Sequence, residues 1–162
     1  MATVNRKAEG SVKAPGATVV IPKKAVQSAP AQCDKRRILI VDDQRAVCDV
    51  FKQVIAYGLK TCRVDIAVNG AEAVGSFRAA HQGLIIMDLH MPVMDGETAF
   101  YEIQKVFKEE NLEMPAIVFC TGYDASEKIE KEIEKNPIHC TLKKPVTDET
   151  LLAAIRARLK CQ

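Results

Sequence analysis

Residues 84–96 of the chain read LIIMDLHMPVMDG, and they carry the clearest secondary-structure signals in the sequence. This stretch begins with four large apolar residues, the pattern of a short strand that is buried on both faces. The apolar run stops at Asp88, and a short loop follows. Asp95 is a good helix N-cap, and the residues after it, 96–109, have a helical pattern. The stretch therefore predicts a buried strand, a loop and a helix.

The same alternation of strand and helix patterns continues on both sides of this stretch. Repeated units of this kind imply a parallel sheet covered by helices on both faces. We therefore predict an α/β fold, a (βα)5 doubly wound five-stranded parallel sheet with the flavodoxin-like strand order 2-1-3-4-5. The predicted strands are 38–41, 64–68, 84–87, 116–119 and 138–142, and the predicted helices are 44–58, 71–80, 96–109, 126–135 and 147–159.

Polar residues follow four of the five predicted strands. Ligands of open α/β sheets bind beyond the carboxyl ends of the strands, so these residues should converge at one edge. Clustered carboxylates repel one another, a divalent cation relieves the repulsion, and oxygen ligands favour Mg²⁺ over zinc. Mg²⁺, an ammonium and a hydroxyl together stabilise phosphoryl oxygens, and one carboxylate can act as nucleophile. The residues are Asp42, Asp43, Asp88, Thr121, Gly122, Lys143 and Lys144.

Four short strings carry a resemblance to a known family. They are IVDD at 40–43, MDLHMPVMDG at 87–96, Thr121-Gly122 and Lys144-Pro145. In this order they resemble the receiver domain of two-component response regulators, and the match covers residues 36–160. The chain is most similar to a stand-alone, chemotaxis-type regulator, because little sequence follows the last predicted helix.

The resemblance implies a role for six residues. Asp88 would accept a phosphoryl group with Mg²⁺ as cofactor, and the donor would be a sensor histidine kinase or a histidine phosphotransfer protein. Lys144 is favoured over Lys143 because the family's lysine directly precedes a proline, in a peptide bond that is commonly cis. The implied Mg²⁺ ligands are Asp42, Asp43, Asp88 and the backbone carbonyl of His90, the implied hydroxyl that turns toward the phosphoryl group is that of Thr121, and the implied ammonium is that of Lys144.

Two positions need separate comment. Family members often carry Tyr or Phe three residues before the lysine, and here that position is Thr141. Tyr123, beside Thr121, is a possible substitute for this aromatic switch.

The side chain of His90 should flank the pocket, where it would affect access of the hydrolytic water. His81 and His139 have no partners at ligand spacing and are predicted to be surface or core residues.

Three hypotheses for function remain open. The first is a phosphorylation-dependent signalling receiver that binds a downstream protein and catalyses only its own phosphorylation and dephosphorylation. The second is a receiver-like interaction module that works without phosphorylation. The third is a Mg²⁺-dependent aspartyl-phosphate hydrolase, although His90 stands where such enzymes carry an acid, and no substrate-cap insertion is present.

Composition limits the partners and the cellular location that are expected for the protein. The 162 residues carry a net charge of +2 and only eight aromatic residues, so neither direct DNA binding nor a base-stacking surface is expected. No apolar run is long enough to insert into a membrane. Residues 1–34, with net charge +3 and no Leu, Phe, Tyr or Trp, are predicted to be a flexible basic tail before a receiver domain over 35–162. The six scattered cysteines indicate buried free thiols and a cytoplasmic location.

Overall fold

The computed structural model describes residues 32–159, so the predicted tail lies outside the described residues except for its last three positions. Five strands alternate with five helices in this range. The strands are β1 (Asp34–Val41), β2 (Arg63–Ala67), β3 (Gln82–Met87), β4 (Ala116–Thr121) and β5 (Cys140–Lys143). The helices are α1 (Arg45–Gly58), α2 (Gly70–Ala80), α3 (Gly96–Glu109), α4 (Glu127–Lys135) and α5 (Asp148–Leu159).

The five strands form one parallel sheet in the order β2-β1-β3-β4-β5, which confirms the predicted fold class. Strand β1 pairs with β2 on one side and with β3 on the other. In the second pairing Val41 lies opposite Met87, so the two strands end level with each other. The residues that follow β1 and β3 therefore emerge side by side at the centre of the carboxyl edge.

Helices cover both faces of the sheet, and β3 shows why its sequence is apolar throughout. All six of its residues are buried. Ile85 and Met87 pack into the core under α2 and α3, whereas Leu84 and Ile86 pack into the core under α1 and α5. Each such side chain contributes about 1.5–3 kcal/mol relative to leaving it exposed. A strand with two buried faces has no place for the polar alternation of a surface strand.

Every strand differs from the prediction at one or both ends, by one or two residues except at the start of β1, where the difference is four. Strand β1 begins at Asp34, not at residue 38, although its first residues are charged. Backbone pairing explains the extension, because the Asp34 N–H donates to the His81 carbonyl at 2.8 Å. Arg37 is held further by a two-pronged ion pair with Asp65 at 2.6 and 3.1 Å. Strand β5 begins at Cys140, not at residue 138, because the preceding residues form a turn.

Local capping follows the sequence closely. The Asp95 side chain accepts a hydrogen bond from the Thr98 N–H at 2.7 Å, which confirms it as the N-cap of α3. The Ser126 hydroxyl accepts one from the Ile129 N–H at 3.3 Å and caps α4 in the same way. A cap of this kind contributes about 1 kcal/mol. These caps fix where the helices begin after the loops at the carboxyl edge.

The cysteines within residues 32–159 lie in or near the core. Cys33, Cys48 and Cys120 are buried, as predicted, and Cys62 and Cys140 are half-buried. Burial raises the pKa of Cys33 and Cys48 to about 11 and that of Cys120 to about 12. Cys161 lies outside the described residues.

Among the helices in the described range, none combines the length and the apolar character that crossing a membrane requires.

Candidate functional site

Polar residues at the ends of four strands converge at the carboxyl edge of the sheet. Asp42 follows β1, Asp88 follows β3, Thr121 ends β4 and Lys144 follows β5. Backbone hydrogen bonds continue past the strands and fix the spacing. The Asp88 N–H donates to the Val41 carbonyl at 2.9 Å, and the Lys144 N–H donates to the Thr121 carbonyl at 2.9 Å. The site is therefore held by the sheet itself.

Three carboxylates form the floor of this site. Asp42, Asp43 and Asp88 each offer an oxygen within 4.8 Å of the others. Asp42 and Asp88 are buried, at 2% and 6% exposure, whereas Asp43 is exposed to solvent. Backbone N–H groups satisfy part of the buried charge. Gln44 donates to Asp42 at 2.9 Å, and His90 donates to Asp88 at 3.0 Å.

The Lys144 ammonium bridges the two buried carboxylates. Its Nζ lies 2.6 Å from Asp42 Oδ2 and 2.5 Å from Asp88 Oδ2. Burial opposes the charged form of Lys144 most strongly, but hydrogen bonds and attraction from both carboxylates together outweigh it and raise the lysine pKa. Lys144 is therefore a permanent cation at neutral pH. The Lys144–Pro145 peptide bond is cis.

Lys143 lies away from the carboxylate cluster. Its ammonium pairs with Asp124 at 3.0 Å, and both side chains are largely exposed. The pairing register of β5 places Lys143 opposite Thr121, and paired residues of neighbouring strands point to the same face, so Lys143 lies on the side of the sheet where the loop after β4 carries Asp124. Of the two lysines, only Lys144 touches the carboxylate cluster.

Thr121 and two ring-bearing residues form one wall of the site. Thr121 is fully buried, and its Oγ1 accepts a hydrogen bond from the Tyr123 N–H at 3.2 Å. The same Oγ1 lies 3.4 Å from Nδ1 of His90. The His90 and Tyr123 rings contact each other, with centroids 4.7 Å apart. The His90 side chain thus flanks the pocket, and the loops after β3 and β4 meet there.

The loop after Asp88 returns to the site through a close backbone contact. Gly96, the first residue of α3, donates its N–H to the Leu89 carbonyl at 3.0 Å. A Cβ at position 96 would overlap the carbonyl oxygen of Asp88. Glycine is therefore required by close approach, and its place in the MDLHMPVMDG string has a physical reason.

The remaining singled-out residues lie away from the carboxylate cluster. Thr141 is exposed on β5. His81 is a surface residue beside Glu110, with Nε2 2.9 Å from a carboxylate oxygen. His139 is a core residue that is only 3% exposed, and its Nδ1 accepts a hydrogen bond from the Ile117 N–H at 3.1 Å. Burial lowers the pKa of His139 to about 4. Both histidines are the surface or core residues that the sequence predicted.

Sequence reasoning missed an apolar groove that borders the site. The groove has a volume of about 300 Å³, and Lys144 is one of the residues that line it. Val50 is 54% exposed there, which is unusual for a large apolar residue on an otherwise amphipathic helix. The cis proline and the residue after it supply the opposite wall. Besides Lys144, the groove is lined by Ala46, Val47, Val50, Phe51, Pro145 and Val146.

Comparison with protein families gives one match over most of the chain. The sequence model described as response regulator receiver domain matches residues 38–156. The chemotaxis protein CheY of Halobacterium salinarum is 27% identical over 99 residues, which are 61% of this chain and 77% of that protein. A protein-glutamate methylesterase/protein-glutamine glutaminase of Vibrio parahaemolyticus is 40% identical over 67 residues. Those residues are 41% of this chain but only 18% of the methylesterase.

Solved structures agree with this match. A response regulator receiver domain protein (CheY-like) from Methanospirillum hungatei is 26% identical, with a TM-score of 0.63, and the match covers 77% of this chain and 94% of that one. Chemotaxis protein CheY4 of Vibrio cholerae is also 26% identical, with a TM-score of 0.61 and coverage of 75% and 96%. The match covers nearly all of each of these two solved structures, whereas it covers only 18% of the methylesterase.

Proposed function

The chain belongs to the response regulator receiver family, and from that premise we propose that it is a phosphorylation-dependent signalling receiver with Asp88 as the phosphoacceptor. Receiver domains signal within two-component systems and interact with kinases or phosphotransfer proteins. The donor proposed here is a sensor histidine kinase or a histidine phosphotransfer protein. The observation that carries the proposal is the Lys144 ammonium held between Asp42 and Asp88 beside a third carboxylate.

The reaction that fits this arrangement is transfer of a phosphoryl group from a phosphohistidine. A carboxylate oxygen of Asp88 forms a bond to phosphorus, while the P–N bond breaks and the donor imidazole keeps the electron pair. Lys144 carries the positive charge that pairs with a phosphoryl oxygen, and it is already within reach of Asp88. The Thr121 hydroxyl, at the end of the neighbouring strand, would donate a hydrogen bond to a second phosphoryl oxygen.

The donor set at the site fits a hard divalent cation. Asp42, Asp43 and Asp88 offer only carboxylate oxygens, the ligand type that Mg²⁺ prefers, and no thiol or imidazole nitrogen belongs to this cluster of described residues. We assign the backbone carbonyl of His90 as a further ligand. Bound Mg²⁺ would supply positive charge that offsets the three carboxylates and the phosphoryl oxygens.

The apolar groove beside Lys144 is the surface we assign to the phosphodonor protein. A donor histidine must reach a carboxylate that is only 6% exposed, so the protein that carries it has to dock around the mouth of the site. Lys144, which contacts Asp88, also lines the groove, so the groove borders the site, and its other lining residues come from α1 and the loop after β5. Exposed apolar surface of this kind is typical of protein interaction sites.

The output follows from the added charge. A phosphoryl group adds roughly −1.5 to −2 charges at neutral pH and so biases the protein between two conformations. We propose that the biased state binds a downstream protein in the cytoplasm, and that the chain catalyses no reaction other than its own phosphorylation and dephosphorylation. Since Thr141 leaves β5 without the usual aromatic switch, the rearrangement would start at the loop that holds Thr121 and Tyr123.

A direct test uses acetyl phosphate as donor and intact-mass spectrometry as readout. We expect the wild type to gain one phosphoryl group with Mg²⁺ and none with a chelator. Asp88→Asn should gain none, whereas Asp49→Asn, a change in an exposed carboxylate on α1, should behave as the wild type does. Phosphorylation of Asp88→Asn at the wild-type level would contradict the assignment. No phosphorylation and no Mg²⁺ binding by titration would favour the unphosphorylated interaction module instead.

A further inference from the structure

The orientation of Thr121 is fixed by two contacts that come from different loops. Its Oγ1 accepts the Tyr123 N–H at 3.2 Å and lies 3.4 Å from Nδ1 of His90. Thr121 itself is fully buried, so water does not replace either partner. A threonine side chain occupies one of three staggered positions, and a hydroxyl has only one hydrogen to donate. Both contacts are lost if the side chain rotates about χ1.

The two partners of Thr121 also hold each other. The His90 and Tyr123 rings are tilted by 56° with their centroids 4.7 Å apart, within the range of favourable aromatic pairs. Tyr123 is nevertheless 68% exposed, and the His90 side chain is exposed as well. Two exposed rings that pack on each other above a buried hydroxyl form a small cover between the loops after β3 and β4.

His90 is in addition tied to the phosphoacceptor. Its backbone N–H donates to Asp88 Oδ1 at 3.0 Å, while its ring contacts Thr121. One residue therefore connects the carboxylate that would change on phosphorylation with the hydroxyl that would respond to it. In the tautomer whose Nδ1 carries no proton, His90 accepts the one hydrogen of the Thr121 hydroxyl, and this contact competes with any new hydrogen bond that the hydroxyl would donate.

We propose that His90 and Tyr123 form a latch that holds Thr121 in its resting rotamer, and that phosphorylation has to open this latch. The inference rests on the proposed function for its consequence, but the latch itself is a property of the unphosphorylated protein. In this view His90 and Tyr123 are positioning residues, which act on the reaction only through Thr121. Removal of either ring should free Thr121 to reach a phosphoryl oxygen at lower cost.

The latch is tested first without phosphorylation. The χ1 populations of Thr121 can be measured by NMR from three-bond couplings to its methyl carbon. The wild type should show one rotamer, and His90→Ala and Tyr123→Ala should show a second one. Both variants at position 123 keep the backbone N–H that donates to Thr121, so Tyr123→Ala removes only the ring that packs on His90. Tyr123→Phe keeps that ring as well, so it serves as the matched control and should retain the wild-type rotamer. Unchanged Thr121 couplings in both alanine variants would overturn the proposal.

The consequence is tested with acetyl phosphate and Mg²⁺ as the probe. Loss of one ordinary hydrogen bond corresponds to about a two- to tenfold change, so His90→Ala should be phosphorylated faster by roughly that factor. Tyr123→Ala, which removes only the ring that packs on His90, should be faster by no more than His90→Ala is. The increase in phosphorylation rate of the double variant should be smaller than the product of the two single increases, because both substitutions disrupt the same contact between His90 and Thr121. Wild-type rates in both alanine variants, or slower ones, would contradict the latch. If the wild type itself gains no phosphoryl group, the proposed function fails, while the couplings still decide the latch.

Discussion

Replacement of Lys144 by methionine should destabilise the protein in the absence of divalent cations. The ammonium lies 2.6 Å from Asp42 and 2.5 Å from Asp88, two carboxylates that are 2% and 6% exposed. Methionine keeps most of the aliphatic side chain but removes the charge, so two buried anions lose their common cation. The change therefore isolates the electrostatic part of the interaction.

The size of the effect follows from burial. Loss of one partner of a buried ion pair costs about 3–5 kcal/mol, because the remaining charge is left buried and unpaired. The Lys144 side chain is 20% exposed, so water partly screens its charge. We therefore expect a loss of about 2–3 kcal/mol in the free energy of unfolding. The raised pKa of Lys144 keeps this contribution fully present at neutral pH, and the contribution is lost only when the pH rises through that pKa.

Urea unfolding, followed by circular dichroism with a chelator and again with Mg²⁺, measures this loss. Lys143→Met is the matched control, because its ammonium pairs with Asp124 at 3.0 Å while both side chains are largely exposed. An exposed pair contributes about 0–1 kcal/mol, so this variant should stay close to the wild type. Mg²⁺ should stabilise Lys144→Met more than it stabilises the wild type, because a cation replaces the missing ammonium.

The result that would refute this reasoning is equal stability of the two lysine variants in chelator. That outcome would mean that the ammonium between Asp42 and Asp88 contributes no more to the free energy of unfolding than a surface ion pair does. A destabilised Lys144→Met that Mg²⁺ fails to rescue would instead contradict the assignment of the three carboxylates as the cation site.

Three further predictions concern single positions. Asp43→Asn should raise the free energy of unfolding in chelator by about 1 kcal/mol, because it removes an exposed charge within 4.8 Å of two others, and calorimetric titration should detect no Mg²⁺ binding. The free energy of unfolding of the wild type should fall by up to about 3 kcal/mol between pH 6.5 and pH 4, because His139 becomes protonated at a higher pH in the unfolded chain than in the folded protein. His139→Asn should lose this part of the pH dependence when urea unfolding is measured over the same pH range. Gly75→Ala, inside α2 with open space around it, should raise the melting temperature, because alanine stabilises a helix by about 0.5–1 kcal/mol relative to glycine. Gly96→Ala should lower the melting temperature, because its Cβ would overlap the Asp88 carbonyl oxygen. A higher melting temperature for Gly96→Ala than for Gly75→Ala would contradict the close contact.

The fold and the residues that form the candidate site could be predicted because they depend on periodicity. Buried parallel strands are short apolar runs, and the residue after each run lies at the carboxyl edge. Asp42 and Asp88 are identified by this rule alone, before any distance is known, whereas the choice of Lys144 over Lys143 needed the family resemblance, in which the lysine directly precedes a proline. The strand order then brings them together, since β1 and β3 pair directly.

The features that could not be predicted depend on contacts between loops or on surface exposure. Nothing in the spacing of His90 and Tyr123 shows that their rings touch, because the two loops meet only after the sheet has formed. The helical spacing of Val47, Val50 and Phe51 indicates one apolar stripe but not its width, and Val50 lies beyond the buried part. The charged start of β1 was missed because backbone pairing extends the strand past its apolar residues.

The contact between Lys144 and Asp42 joins residues that are 102 positions apart. During synthesis the three carboxylates leave the ribosome long before the ammonium that balances them. A nascent chain that has been made only through β4 has every acidic residue of the site, but neither Lys144 nor the edge strand that precedes it. The protein therefore completes its site only when nearly the whole of the described fold has been translated.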